Sequence, residues 1–189
     1  AGNQTVSGTM NGAYDLTITA AGNWTQSAAI GGSSALADYS LTASGNAATS
    51  SITANGSIGI DGVDITISSG TLTAGSDEDI ILNASGNFIN SSGASALSVS
   101  GTGRWIDYAA DDDSSTFKSL DSNNSPLWSA TDSTLSPSSV PSGNRYVFAE
   151  TSSQTVTFTT TSETITYAGS YDLSDNYEIT TSSVAGLAN

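Results

Sequence analysis

The feature that most constrains this sequence is a short motif, an apolar strand followed by a Gly-Asn pair, that recurs along its first half. It reads L-T-I-T-A-A-G-N-W in residues 16–24, L-T-A-S-G-N in residues 41–46 and L-N-A-S-G-N-F in residues 82–88. The motif glycines are spaced 23 and 41 residues apart, and 41 is close to two periods. A period of about 20 residues is typical of β-solenoid coils, each of which turns at the same place. We therefore expect a further coil at residues 58–67.

Apolar residues alternate with Thr, Ser, Asp or Asn in short runs, which is the pattern of half-buried strands. The alternating sets are Leu16 and Ile18; Ile58 and Ile60; Val63, Ile65 and Ile67; Ile80 and Leu82; Leu97 and Val99. No window keeps the apolar spacing of an amphipathic helix beyond one turn, so the fold is predicted to be all-β. A β-sandwich also has short strands separated by turns and is the alternative, but the repeated corner favours the solenoid.

Composition excludes several classes of function. The 189 residues carry 18 acidic and 3 basic side chains, for a net charge of −15, and include neither histidine nor cysteine. Such a charge repels phosphates and anionic lipids, so we expect no nucleic-acid partner. Catalysis or metal binding through His or Cys is excluded.

No apolar run approaches the roughly 20 residues that cross a bilayer, so we expect no membrane insertion. Without a charged and apolar leader at Ala1, we expect a mature or excised part of a larger protein.

The composition and the apolar alternation of the sequence change after Tyr108, and this change predicts three regions. Residues 1–109 are predicted to form β-solenoid coils. Residues 110–145, here called the extension, contain all three prolines and few alternating apolar residues, so they are predicted to be irregular and loop-rich. Residues 146–189 regain strand-like alternation and are predicted to form a small β-module or the cap of the solenoid.

Residues 80–109 carry a resemblance to a known family. Here G-N-F-I-N at residues 86–90, G-A-x-A-L at residues 93–97 and G-R-W-I-D-Y at residues 103–108 closely resemble the end of the repeat region in filamentous-haemagglutinin-like exoproteins of the two-partner secretion type. Ile106 stands where the family has Leu, and Ala109 where it has Ser. The last residues, 164–189, resemble the start of a glycine-rich bacterial surface repeat.

The resemblance implies a right-handed parallel β-helix in a secreted adhesin or surface fibre. It also implies export across a Gram-negative outer membrane through a partner barrel, and a location outside the cell or on its surface. The expected role is structural and adhesive, without catalysis or a cofactor. The expected ligand is a glycan of a host cell, a neighbouring cell or the matrix.

Two groups of residues are candidate binding sites. Asp111, Asp112 and Asp113 offer carboxylates that suit Ca²⁺, although they lack the spacing of an EF-hand loop. Arg104, Trp105 and Trp128, with Tyr108 beside them, are candidates for a glycan platform, because aromatic rings stack on sugars and Arg binds carboxylates. The favoured interpretation of Arg104 and Trp105 is structural: Arg104 pairs with Asp107 or one of Asp111 to Asp113, and Trp105 caps the apolar column.

Two other functions stay open from the sequence. Open solenoid ends present unpaired strand edges, so the chain is alternatively a filament subunit that stacks head to tail. A glycan-binding or polysaccharide-cleaving β-helix is the second alternative, with carboxylates as its only acid–base groups.

Overall fold

In a computed structural model, residues 2–152 form a parallel β-solenoid, and these are the residues that the structure describes. All strand pairings among them are parallel, which confirms the β-helix and rules out the sandwich. The described part contains one 3₁₀ turn at Pro137–Ser139, no α-helix, and no helix long and apolar enough to span a membrane. Most of the predicted C-terminal module, residues 153–189, lies outside the described residues.

Three parallel sheets form the faces of the solenoid. The six-stranded sheet consists, in spatial order, of β2 (Leu16–Ala20), β4 (Tyr39–Ala43), β7 (Ile58–Gly62), β10 (Ile80–Ala84), β13 (Trp105–Ala109) and β14 (Arg145–Phe148). The five-stranded sheet consists of β1 (Gln4–Val6), β3 (Trp24–Gln26), β5 (Ala47–Thr49), β8 (Ile65–Ile67) and β11 (Phe88–Asn90). The three-stranded sheet consists of β6 (Ile52–Thr53), β9 (Leu72–Ser76) and β12 (Leu97–Ser100).

The core is a stack of inward-facing side chains, one level per coil. In the six-stranded sheet Leu41, Ile60 and Leu82 lie in register on adjacent strands, and all three are buried. Burying one such side chain contributes about 1.5–3 kcal/mol, so stability accumulates coil by coil. The alternation predicted for Ile58 to Ile67 is confirmed except at Val63, which is 42% exposed at the corner between β7 and β8.

The repeated Gly-Asn corner holds a ladder of hydrogen bonds that runs along the solenoid. At each step, the side-chain Oδ1 of one corner residue accepts a bond from the backbone N–H of its equivalent in the next coil. The members of this corner ladder are Asn3, Asn23, Asn46, Asp64 and Asn87, with N···Oδ1 distances of 3.3, 2.9, 3.3 and 2.9 Å along the series. The predicted extra coil is therefore present, with Val63 and Asp64 in the places of Gly and Asn.

The extension returns to the solenoid twice. Thr116 forms an isolated parallel β-bridge with Ile89 of β11 and so extends the five-stranded sheet by one residue. Residues 127–130 then bond to the free edge of β14: the Leu127 N–H donates to Tyr146 O at 2.9 Å, and the Phe148 N–H donates to Leu127 O at 2.8 Å. We call β14 together with residues 127–130 the cap, because they close the C-terminal end of the six-stranded sheet.

Candidate functional site

The extension covers the outer face of the last coils, where the predicted site residues lie. Ile106 and Tyr108 point outward from β13 and pack against Val140 of the extension and Val147 of β14. The Tyr108 hydroxyl donates to Leu135 O at 2.8 Å. Burial, and to a lesser degree the nearby Asp132, raises the pKa of Tyr108 to about 12. Tyr108 therefore anchors the extension instead of offering an open sugar platform.

Arg104 fastens the extension to the coil below. Its guanidinium donates to Val140 O at 2.8 Å, to Pro141 O at 2.9 Å and to Pro137 O at 2.6 Å. Its Nε lies 3.6 Å from Asp79 Oδ2, while its backbone N–H donates to Asp79 Oδ1 at 2.9 Å. The predicted pairing of Arg104 with Asp107 or with one of Asp111 to Asp113 is therefore wrong.

The tryptophans do not form a surface platform. Trp105 is 2% exposed, and its ring meets that of Tyr146 edge-on at a centroid distance of 4.9 Å. Trp128 is half-buried, with its ring 4.9 Å from that of Phe148. Both rings belong to an aromatic cluster near the C-terminal end of the core, as expected if Trp105 caps the apolar column. Arg104, Trp105 and Trp128 thus stabilise the last coils, and the structure does not bring them together around a ligand.

Asp111 of the predicted Ca²⁺ group and Asp77, at a turn one coil earlier, both accept bonds from backbone N–H groups. Asp111 Oδ1 accepts from the Ser114 N–H at 2.7 Å. Asp77 Oδ1 accepts from the Thr102 N–H at 2.7 Å, and these bonds lower the pKa of Asp77. No three carboxylates converge on one point within residues 2–152, so Ca²⁺ binding by Asp111, Asp112 and Asp113 stays a prediction.

Asp112 and Glu150 form a close carboxyl pair at the root of the extension. The Asp112 N–H donates to Glu150 Oε1 at 2.7 Å. Partial burial, and then the hydrogen bond and negative charge of Glu150, raise the pKa of Asp112 to about 6. Asp112 therefore changes its charge within the range of mildly acidic surroundings.

A recess of about 290 Å³ lies where the extension meets the outer face of the six-stranded sheet. Its apolar lining consists of Tyr108 and four alanine residues, and its polar lining is formed by Asn83, Ser85, Thr131, Asp132 and Ser133. The Asn83 amide donates to Asp61 Oδ1 at 3.1 Å, which fixes its orientation. None of the described residues that line the recess is basic.

The residues of the recess were missed in the sequence because they look like any other outward polar residue. Asn83 occupies an outward strand position, where Thr, Ser, Asn and Asp occur throughout this chain. Thr131 to Ser133 come from a loop whose path depends on Arg104 and Tyr108, and no periodic signal marks them. Only Asn83, in register with Asp61 on the neighbouring strand, could have been singled out once the register was known.

Comparison of the chain with protein-family models, with curated proteins and with solved structures found no match.

Proposed function

We propose that this chain is a non-enzymatic, structural and adhesive segment of a bacterial surface fibre. The observation that carries the proposal is the continuous parallel stack, in which one core and one corner ladder run from coil to coil. Coils of a parallel stack rise by about 4.8 Å each, so repeating them extends a protein in one direction. A stack that adds length by repetition suits a spacer that holds a binding surface away from a cell.

The place of the fibre in the cell is proposed from the resemblance over residues 80–109. By that resemblance the chain is exported across a Gram-negative outer membrane through a partner barrel and then stays at the cell surface. The net charge of −15 supports an extended extracellular role, because like charges keep neighbouring rods apart.

The experiment for this proposal compares adhesion with catalysis. Beads coated with the purified chain should attach to host or bacterial cells in a saturable manner, and free chain should compete. The same preparation should release no new sugar ends from a panel of polysaccharides. Release of such ends would favour the polysaccharide-cleaving alternative, and beads that attach no better than uncoated beads would contradict the adhesive role.

The covered C-terminal edge of the six-stranded sheet disfavours the head-to-tail filament. Stacking of one chain on the next requires open sheet edges at both ends of the solenoid, but in this sheet residues 127–130 already bond to β14. We therefore expect a single sedimenting species over a wide range of protein concentration. Species that grow with concentration, and fibres in electron micrographs, would favour the filament subunit instead.

Glycan binding is the second candidate function, and the recess favours it. Pyranose rings combine apolar faces with hydroxyl groups, and the recess combines an apolar lining with amide, hydroxyl and carboxylate groups. Asp132 lines the recess, Asp61 lies beside Asn83, and none of the described lining residues is basic. We therefore expect the ligand to be a neutral or amino sugar and not an acidic one.

Point substitutions test the recess directly. Asn83→Ala and Asp132→Ala should abolish binding to neutral or amino sugars on a glycan array. Thr42→Ala, which changes an exposed outward side chain of β4 in the same sheet, should leave binding unchanged. Equal binding by all the variants would remove the recess as the sugar site without affecting the structural role of the stack.

A further inference from the structure

The least expected side chain in the core is Asp107, at the centre of β13. It lies in register with Leu82 on β10 and with Tyr146 on β14, in the inward column that also contains Leu41 and Ile60. It is fully buried, and within the described part of the chain neither of its carboxyl oxygens has a hydrogen-bond partner. Every other coil of the six-stranded sheet places an apolar or aromatic residue at this level.

The charged side chains close to Asp107 in the sequence are engaged elsewhere. Arg104 binds Asp79 and carbonyl oxygens of the extension, and Arg145 donates to Ser125 O at 2.7 Å. Tyr146 is the ionisable residue that faces Asp107 from β14, and its hydroxyl donates to Leu120 O at 2.8 Å. On the β10 side the facing residue is Leu82, which is apolar.

Burial without a partner favours the uncharged acid. Removal of the carboxyl from water raises the pKa of Asp107 well above its ordinary value, and burial is the dominant cause. Asp107 and Asp121 in turn contribute, after burial, to a raised pKa of Tyr146. An ionised Asp107 needs water, and on the cap side only β14 lies between β13 and the end of the six-stranded sheet.

The cap lies at the end of the sheet, where β14 has a full strand on one edge only. Interior strands such as β10 are bonded on both edges to full neighbouring strands. The cap ends in residues 127–130, which contribute one isolated bridge, between Leu127 and Val147, and a few backbone bonds. Separation of β14 from β13 would bring water to Asp107 and leave the coils from β2 to β10 intact.

We propose that Asp107 is a proton-operated lock on the cap: when uncharged it lets β14 and residues 127–130 close over the last coil, and when ionised it releases them. The direction of the pH dependence follows from the coupling between proton binding by Asp107 and closure of the cap. The closed cap holds a proton that the open cap loses, so closure is strongest at low pH. It weakens by about tenfold per pH unit once the pH exceeds the ordinary Asp value of about 4.

Hydrogen exchange on the full chain tests the lock. Protection factors of the β14 amides, corrected for intrinsic rates, should fall by up to about tenfold per pH unit as the pH rises above the ordinary Asp pKa of about 4. The amides of β4 and β7 should show a smaller dependence. Asp107→Leu, which restores the residue type of the column, should abolish this slope and raise protection at neutral pH.

Two further variants keep the test decisive. Asp107→Asn cannot ionise and retains the shape of Asp, so it should also lose the slope even if Asp107→Leu packs poorly. Asp61→Asn changes a carboxylate on the outer face of the same sheet and should keep the wild-type slope. A slope that is the same in wild type and in both Asp107 variants would overturn the proposal.

Discussion

At the scale of single residues, the corner ladder explains why Gly and Asn recur together. The Asn or Asp side chain is needed as an acceptor for the N–H of the next coil, as at Asn23 and Asn46. The preceding residue must leave room for it: a Cβ at Gly45 would overlap the Asn23 side chain. Where Val63 replaces the glycine, its side chain projects into solvent and the acceptor becomes Asp64.

The ladder predicts a position-specific loss of stability. Asn23→Ala removes the acceptor of the Asn46 N–H and should lower the free energy of unfolding by about 1 kcal/mol. Thr25→Ala, two residues away on the exposed face of β3, should change it by less than about 0.5 kcal/mol. Urea unfolding monitored by circular dichroism measures both. Equal losses for the two variants would mean that the corner bond adds nothing to stability.

At the scale of elements, the attachment of the extension depends on a small number of polar bonds. Arg104 binds three of its carbonyl oxygens, Tyr108 binds a fourth, and the Asp112 N–H donates to the carboxylate of Glu150. These contacts place the apolar side chains of the extension on Ile106 and Tyr108 and shape the rim of the recess. Loss of one contact is therefore expected to loosen the extension before it affects the coils.

Arg104→Ala should detach the 3₁₀ turn and its neighbours. The variant removes the guanidinium from the carbonyls of residues 137, 140 and 141 and from Asp79 Oδ2, while the backbone bond to Asp79 Oδ1 remains, with an expected cost of about 1.5–3 kcal/mol. Limited proteolysis should then cut within residues 131–142 faster than in wild type. Lys118→Ala, at an exposed position of the same extension, should keep the wild-type cleavage rate.

The Asp112–Glu150 pair predicts a pH dependence with a definite sign. The pKa of Asp112 in the folded chain is raised to about 6. Asp112 therefore favours folding most strongly when the pH is below about 4, the ordinary pKa of an Asp side chain. That contribution is lost as the pH rises through about 6. Asp112→Asn should therefore raise the melting temperature relative to wild type at neutral pH, and this difference should vanish near pH 4. A difference that is equal at both pH values would show that the pair is not coupled.

At the scale of the whole molecule, the solenoid is a sum of coils that contact only their neighbours. Removal of a complete coil should therefore leave a foldable chain. Deletion of residues 64–86, which span the 23 residues between equivalent corner positions, joins Val63 to Asn87 and restores the corner. The denaturant m-value should fall by roughly one fifth with the buried area. Deletion of half of this segment breaks the register and should prevent cooperative unfolding.

The repeat was sufficient to predict the coils, including one that lacks the motif, because stacking imposes the same corner on each level. It was not sufficient for β13, where the usual assignment of polar residues to the outside fails. The extension covers Ile106 and Tyr108, which makes the outer face apolar, while Asp107 points inward with Trp105 and Ala109. The partner of Arg104 was also missed, because Asp79 lies one coil away and only the register brings them together.

The corner ladder has a consequence for chemical ageing. Each corner side chain acts through its Oδ1 as an acceptor, and Asp64 shows that a carboxylate serves as well as an amide. Direct hydrolysis of the Asn23 or Asn46 amide to aspartate therefore preserves the inter-coil bond and adds one negative charge. In the extracellular setting proposed above, such a fibre would keep its corner bonds wherever the amide becomes an ordinary aspartate.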